Sequence, residues 1–166
     1  MPQPWGYSPY IQIAINGVTV FFVIDTGAPF SMIPVELADE LGLRGMDYRE
    51  PVTDLTQIAH AYRVAIVDRF GMGATTIRNF PILIENAKEA RTRQAGQRGL
   101  PILGMDALIF LRRFALSRHR LVLSPSDDTK CVSPARLSTS IEPFPAVFFD
   151  VETDHGRVVG TLDTGE

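Results

Sequence analysis

The first strongly patterned segment of the chain alternates between apolar and polar positions. Tyr10 to Ile15 places an isoleucine at every second residue, which is the period of a half-buried β-strand. Asn16-Gly17 follows, and Val18 to Ile24 is then almost entirely β-branched or aromatic. Asn-Gly between two such runs is the strongest short-range signal of a β-hairpin. The pattern therefore predicts a hairpin that ends at Asp25.

Short extended segments and turns dominate the region after this hairpin. Residues 25–29 are Asp-Thr-Gly-Ala-Pro, which predicts a turn, and 31–33 is a short return strand. Pro34 begins an amphipathic helix through about Leu41, and Gly42 supplies its stop. Further strands are predicted at 51–58, 61–69 and 75–84, the last of them interrupted by Asn79 and Pro81.

The rest of the chain contains two more groups of short elements separated by a linker. A buried strand at 100–103 leads into a short helix from Asp106 to about Leu111, and a hairpin of 114–117 with 121–123 follows. Lys88 to Arg98 is a predicted surface loop, with a site of proteolytic nicking as the sharper alternative. Residues 126–143 have linker composition, and strands are expected at 144–153 and 157–162.

Composition and charge narrow the class of protein. The 166 residues are 45% hydrophobic and 21% charged, which matches one globular domain, or one domain plus part of another. A formal charge of −3 gives no electrostatic reason to expect nucleic acid or an anionic membrane as a partner. No apolar stretch is long enough to predict a membrane span, and the N-terminus does not resemble a signal peptide. The single cysteine, Cys131, excludes an internal disulfide and a multi-cysteine zinc site.

The last segment of the chain repeats the pattern of the first. In both, a strand leads to a turn glycine, a second strand and then Asp-Thr-Gly, at Asp25-Thr26-Gly27 and again at Asp163-Thr164-Gly165. One such triplet occurs by chance in roughly one chain in thirty of this length, so a lone copy is a weak signal. Two copies in the same context, 138 positions apart, indicate a duplicated domain.

Paired aspartates suggest a specific chemistry. Amide hydrolysis without a metal ion or a covalent intermediate needs one group to deprotonate the attacking water and another to protonate the carbonyl oxygen. Two carboxyl groups about 3 Å apart cannot both ionise, so they share one proton and supply both functions. Each must sit on a rigid turn at the end of a buried strand, where Gly27 allows a tight turn, Ala28 avoids crowding and the Thr26 hydroxyl can bond to buried backbone. A single domain supplies only one such aspartate, so a second lobe is required.

The segment from Phe22 to Ser31, which contains the first triplet, resembles the catalytic segment of retropepsin-like (retroviral-type) aspartic proteases. Leu100 to Leu108, an apolar strand that enters a short helix through Gly104, is similar to the second signature of that family. The resemblance implies an all-β lobe: a closed β-barrel with a flap hairpin and one or two short helices, in which the second-signature strand buttresses the active-site turn. It implies Asp25 and Asp163 as catalytic residues, with Thr26, Gly27, Ala28, Thr164 and Gly165 forming the active-site turns, and no metal or cofactor.

The resemblance also divides the chain. Residues 7–125 form the predicted lobe, 126–143 a linker, and 144–166 the start of a second lobe like that of bacterial relatives with two lobes in one chain. Two departures are visible: the flap region from Asp54 to Tyr62 has no glycine, and Glu166 stands where a small residue is usual. About 100 residues would have to follow Asp163 to complete that lobe, so we expect either a longer protein or a pairing of two chains.

Two classes of function remain open at this level. The first is an aspartic endopeptidase that cuts extended peptides, with a peptide or protein substrate and two lobes that meet within one chain or in a homodimer. The second is a non-catalytic protein-binding or dimerisation module, in which Asp25 only accepts hydrogen bonds within its turn. His60, His119 and His155 share no metal-ligand spacing, and Cys131 has no histidine partner motif.

Overall fold

A computed structural model describes residues 9–47, 52–53, 59–85, 99–110, 114–117, 120–123, 137–140, 146–153 and 156–161. Within these residues the chain is mostly β-strand, with two short helices, which confirms the predicted all-β class. The helices are α1 (Val35–Glu40) and α2 (Met105–Ile109). The strands are β1 (Tyr10–Ile15), β2 (Val18–Ile24), β3 (Met32–Ile33), β4 (Met46–Asp47), β5 (Val52–Thr53), β6 (Ala59–His60), β7 (Tyr62–Met72), β8 (Thr75–Glu85), β9 (Ile102–Leu103), β10 (Phe114–Ser117), β11 (Arg120–Leu123), β12 (Leu137–Ser140), β13 (Ala146–Thr153) and β14 (Gly156–Thr161).

Seven of these strands form one hydrogen-bonded sheet. Their order is β1-β2-β9-β3-β8-β7-β4, and β1 also pairs with β7, so the order returns to its first strand and leaves β4 at the edge. Strands β7 and β8 pair antiparallel from Tyr62–Glu85 to Met72–Thr75, whereas β3 runs parallel to β8. Three smaller antiparallel sheets comprise β5-β6, β10-β11 and β12-β13-β14.

The chain divides into two compact units. One comprises residues 1–11, 23–30 and 103–166, and the other comprises 12–22 and 31–102. The core of the second unit contains three aromatic rings, and Phe70 contacts both Phe22 (ring centroids 5.9 Å apart, edge to face) and Phe80 (4.4 Å). All three side chains are at most 1% exposed. Such pairs add about 0.5–1.5 kcal/mol each to the effect of burying their apolar area.

The turn between β1 and β2 has the geometry that its sequence predicts. Asn16 and Gly17 have φ values of 50° and 93°, as a type I′ turn requires at both central positions. Asn16 is also bound to β7: its backbone N–H donates to the Arg69 carbonyl (2.9 Å), and its side-chain oxygen accepts from the Arg69 N–H (3.0 Å). The asparagine therefore ties the hairpin to a strand that lies more than fifty residues away in sequence.

Replacing Asn16 by alanine should lower the free energy of unfolding by about 1–3 kcal/mol, because alanine strains the left-handed backbone and removes the bond to Arg69. Asn16→Gly relieves the strain but still lacks the side-chain bond, so it should lose less than the alanine variant. Urea unfolding of the wild type and the two variants measures the contribution of the backbone strain and that of the side-chain hydrogen bond. Equal stability of the alanine variant and the wild type would show that the turn does not depend on this residue.

Helix α1 ends as Gly42 predicts. Gly42 has a φ of 67°, its N–H donates to the Asp39 carbonyl, and the Leu43 N–H donates to the Ala38 carbonyl (2.9 Å). These two bonds form a Schellman motif, the common glycine-dependent end of a helix. Ala38 is fully buried, and α1 packs against β8.

Several predicted boundaries differ from the structure, including those of α2, which spans Met105–Ile109 where the helix was expected from Asp106 to about Leu111. Strand β8 continues through Asn79 and Pro81, because Asn79 adopts a left-handed φ of 52° without a change in register and Pro81 still pairs with Ile66. Strand β7 extends to Met72, three residues beyond the predicted end. Residues 137–140, placed in the predicted linker, form β12 and pair with β13, which supplies backbone partners that composition does not reveal.

Several predictions fall outside the described residues. They are the surface loop at 88–98, most of the linker, the flap tip at 54–58 and the second triplet, Asp163, Thr164 and Gly165. The division into a lobe, a linker and a second lobe therefore stays a prediction. In the part of the chain that is described, no helix is long and apolar enough to cross a membrane.

Candidate active site

The turn that carries Asp25 begins where a buried strand ends. Val23 and Ile24, the last residues of β2, are 7% and 1% exposed, and the Ile24 N–H donates to the Pro9 carbonyl (2.8 Å). Thr26 is fully buried, whereas Gly27 is exposed and Asp25 is partly exposed. A buried threonine anchors the turn, so the aspartate beside it stays accessible on a fixed backbone.

The Asp25 carboxylate is held by its own turn. Its Oδ1 atom accepts hydrogen bonds from the backbone N–H groups of Gly27 (2.9 Å) and Ala28 (3.0 Å). Two donors on one oxygen fix the plane of the carboxyl group, and hydrogen bonds to a charged acceptor are stronger than those between neutral groups. The orientation of the carboxylate is thus set before any substrate binds.

A second segment of the same unit holds the turn from the other side. The Asp25 N–H donates to the Leu103 carbonyl (3.0 Å), at the end of β9. The N–H groups of Met105 and Asp106, the first two residues of α2, donate to the carbonyls of Ala28 (2.9 Å) and Pro29 (3.1 Å). These three bonds bind both ends of the turn, so the strand that enters α2 buttresses it, as the resemblance implies.

The structure brings together four of the seven predicted site residues. Asp25, Thr26, Gly27 and Ala28 form one turn, while Asp163, Thr164 and Gly165 lie outside the described residues. Sequence reasoning did not identify Leu103, Met105 and Asp106 as direct partners of this turn. The apolar strand that ends at Gly104 indicated their segment, but a sequence pattern does not predict individual backbone hydrogen bonds. Among the described residues no group of three or more His, Cys, Asp or Glu could hold a metal ion.

The family model and the solved structures that match this chain are those of proteases. A family model described as aspartyl protease matches residues 11–107, which include the Asp25 turn, β9 and the start of α2. A retropepsin-like aspartic protease from Rickettsia conorii is 20% identical, with a TM-score of 0.50, over 70% of this chain and 89% of the other. The EIAV protease, solved with the inhibitor HBY-793, is 19% identical, also with a TM-score of 0.50, over 74% of this chain and 100% of the other. Comparison with curated protein sequences gives no significant match.

The chain belongs to the aspartyl protease family, since the family model covers more than half of its length. Within that family its fold is retropepsin-like, as the two solved structures show. At this level of identity the two structures establish the fold of the chain.

Proposed function

We propose that this protein is an aspartic endopeptidase in which Asp25 is one half of a catalytic pair. The observation that carries the proposal is the Asp25 carboxylate, which is partly exposed and oriented by the Gly27 and Ala28 N–H groups. Membership of the aspartyl protease family supports the reaction class. A preorganised carboxylate on a rigid turn is what general acid–base catalysis of amide hydrolysis requires.

The reaction needs a second carboxyl group beside Asp25, with one proton shared between the two. The ionised carboxylate takes a proton from water as the water oxygen bonds to the peptide carbonyl carbon. The protonated carboxyl gives its proton to the carbonyl oxygen, and a neutral gem-diol forms. When the carbon–nitrogen bond breaks, the amine receives the proton first taken from water, and a gem-diol hydroxyl returns a proton to the other carboxylate. The pair is thereby restored to its starting state.

The second carboxyl group comes from a second lobe. We favour Asp25 of another copy of this chain, because every copy supplies the same Asp25 turn, held by backbone hydrogen bonds to Leu103, Met105 and Asp106. A two-fold axis between two such turns would place like atoms of both aspartates opposite each other. Asp163 of the same chain is the other candidate, and the two arrangements are distinguished below.

The substrate is a peptide in extended conformation with apolar side chains at the cut. The family relationship supports a peptide substrate, and an extended strand is the form in which a β-rich site can bind the backbone. The direct test is digestion of a broad peptide library by the wild-type protein and by Asp25→Asn, with products identified by mass spectrometry. Asp39→Asn is the matched control, because Asp39 is an exposed aspartate on α1.

Cleavage by the wild type and the control, but not by Asp25→Asn, is the expected pattern. Peptide binding without cleavage by any of the three proteins would favour the non-catalytic module instead. The two hydrogen bonds to Oδ1 would then serve only to hold the turn.

Activity should follow a bell-shaped pH profile with its maximum on the acidic side of neutrality. A carboxyl pair that shares one proton titrates in two coupled steps, and only the singly protonated form is active. Activity is therefore lost below the first step, where both groups are protonated, and above the second, where both are ionised. Initial rates across the pH range, with and without a chelator, check this. Loss of activity with the chelator and its recovery with zinc would contradict the assignment.

A further inference from the structure

Helix α2 is too short to fix its own geometry. It spans five residues, Met105–Ile109, and has Gly104 at its N-cap without a side-chain cap. Isolated helices shorter than about 12–15 residues are marginal in water, so a single turn depends on its surroundings. Met105, Ala107 and Leu108 are at most 2% exposed, which anchors one side of α2 in the apolar core. The backbone N–H groups at the N-terminal end of α2 also need hydrogen-bond acceptors.

The four N–H groups at the start of α2 all have acceptors. Those of Met105 and Asp106 donate to the carbonyls of the Asp25 turn, and that of Leu108 donates to the Gly104 carbonyl at a long 3.3 Å. The remaining N–H, of Ala107, donates to the Asp106 carboxylate Oδ1 at 2.7 Å. Asp106 therefore contributes twice: its backbone binds the catalytic turn, and its side chain binds the next N–H of the helix.

We propose that Asp106 is a positioning residue for Asp25. Its carboxylate fixes the first turn of α2 in the orientation that directs the Met105 and Asp106 N–H groups at the Ala28 and Pro29 carbonyls. Those carbonyls belong to the loop whose N–H groups hold the Asp25 Oδ1. The chain of contacts runs from the Asp106 side chain through two backbone bonds to the carboxylate that acts in catalysis. This inference rests on the proposed function for its effect on rate, but its structural part does not.

The test compares Asp106→Ala, Asp106→Asn and Glu36→Ala with the wild type, each as the full chain. Asparagine keeps a side-chain oxygen that can accept from Ala107, whereas alanine does not. Glu36 is the matched control, because it is the exposed acidic residue in the first turn of α1, in the other unit. We expect Asp106→Ala to lower kcat by about 10–100-fold with KM within about twofold, as for a small misplacement of a catalytic group. Asp106→Asn should recover most of that loss, and Glu36→Ala should resemble the wild type.

A second measurement does not need activity. Amide hydrogen exchange, followed residue by residue by NMR, should speed up by about tenfold or more at Asp25, Gly27 and Ala28 in Asp106→Ala. Exchange at Val67, in β7, should stay unchanged. If no protein cleaves peptide, the proposed function fails while the exchange pattern still decides the role of Asp106. Unchanged exchange at the turn, a uniform rise that includes Val67, or a kcat within twofold of wild type would each overturn the inference.

Discussion

Replacing Asp25 by asparagine is expected to lower kcat/KM for peptide hydrolysis by about 10²–10⁴-fold, the scale of general acid–base catalysis. Asparagine has nearly the same shape, and its side-chain oxygen can still accept from the Gly27 and Ala28 N–H groups, which are 2.9 and 3.0 Å from the Asp25 Oδ1. It cannot exchange a proton with water or with the peptide carbonyl. The loss should therefore fall on the chemical step.

Controls for this substitution separate chemistry from folding. Asp25→Asn should keep the midpoint of urea unfolding close to that of the wild type, because the turn retains its backbone bonds to Leu103, Met105 and Asp106. Asp39→Asn changes the charge in the same way on an exposed helix surface and should stay fully active. A folded Asp25→Asn protein that turns over peptide at the wild-type rate would remove Asp25 from the mechanism.

The second large effect concerns protein concentration. If Asp25 of two copies forms the catalytic pair, the specific activity should rise in proportion to concentration below the dissociation constant of the dimer and level off above it. The reason is mass action, since in this arrangement a lone lobe supplies only one of the two carboxyl groups that must share a proton. Sedimentation over the same range should show monomer converting to dimer as activity appears. Asp163→Asn should leave the activity at saturation within about twofold of the wild type, because in this arrangement both catalytic carboxyl groups are those of Asp25.

The opposite outcome has an equally clear signature. A monomeric enzyme with a specific activity independent of concentration, and inactivated by Asp163→Asn, would show that Asp25 pairs with Asp163 of the same chain. The protein would still be an aspartic endopeptidase, but the proposed pairing of two copies would be wrong.

Local features of the fold could be predicted from the sequence because neighbouring residues determine them. Asn16-Gly17 accounts for the hairpin turn, and Gly42 for the end of α1, since both need positive φ values that few other residues adopt. The prediction that Asn79 interrupts its strand was wrong. Asn79 adopts a positive φ inside β8, and the strand continues past it. Short strands such as β12 depend on a partner, which residue patterns over four positions cannot reveal.

The candidate site likewise has features set by neighbouring residues and features that depend on distant segments. The Asp25 turn was predicted from its motif, because an apolar strand that ends in Asp-Thr-Gly-Ala is a local pattern. The hydrogen bonds of Leu103, Met105 and Asp106 to that turn join segments nearly eighty residues apart. These bonds depend on how the chain folds back on itself. Because residues share the same backbone atoms, the sequence does not reveal which of them will pair. The second catalytic carboxyl group depends on how two lobes assemble, and a local sequence pattern does not determine that assembly.

The most direct measurement titrates Asp25→Asn into a fixed amount of wild-type protein and follows peptide hydrolysis. If each active site needs Asp25 from two copies, mixed dimers lack one acid–base group, and the activity should fall as the variant draws wild-type chains into them. Asp39→Asn, added at the same concentrations, should not lower it. Activity of the wild type that is unchanged by any excess of Asp25→Asn, in a mixture shown by sedimentation to form dimers, would contradict the shared site.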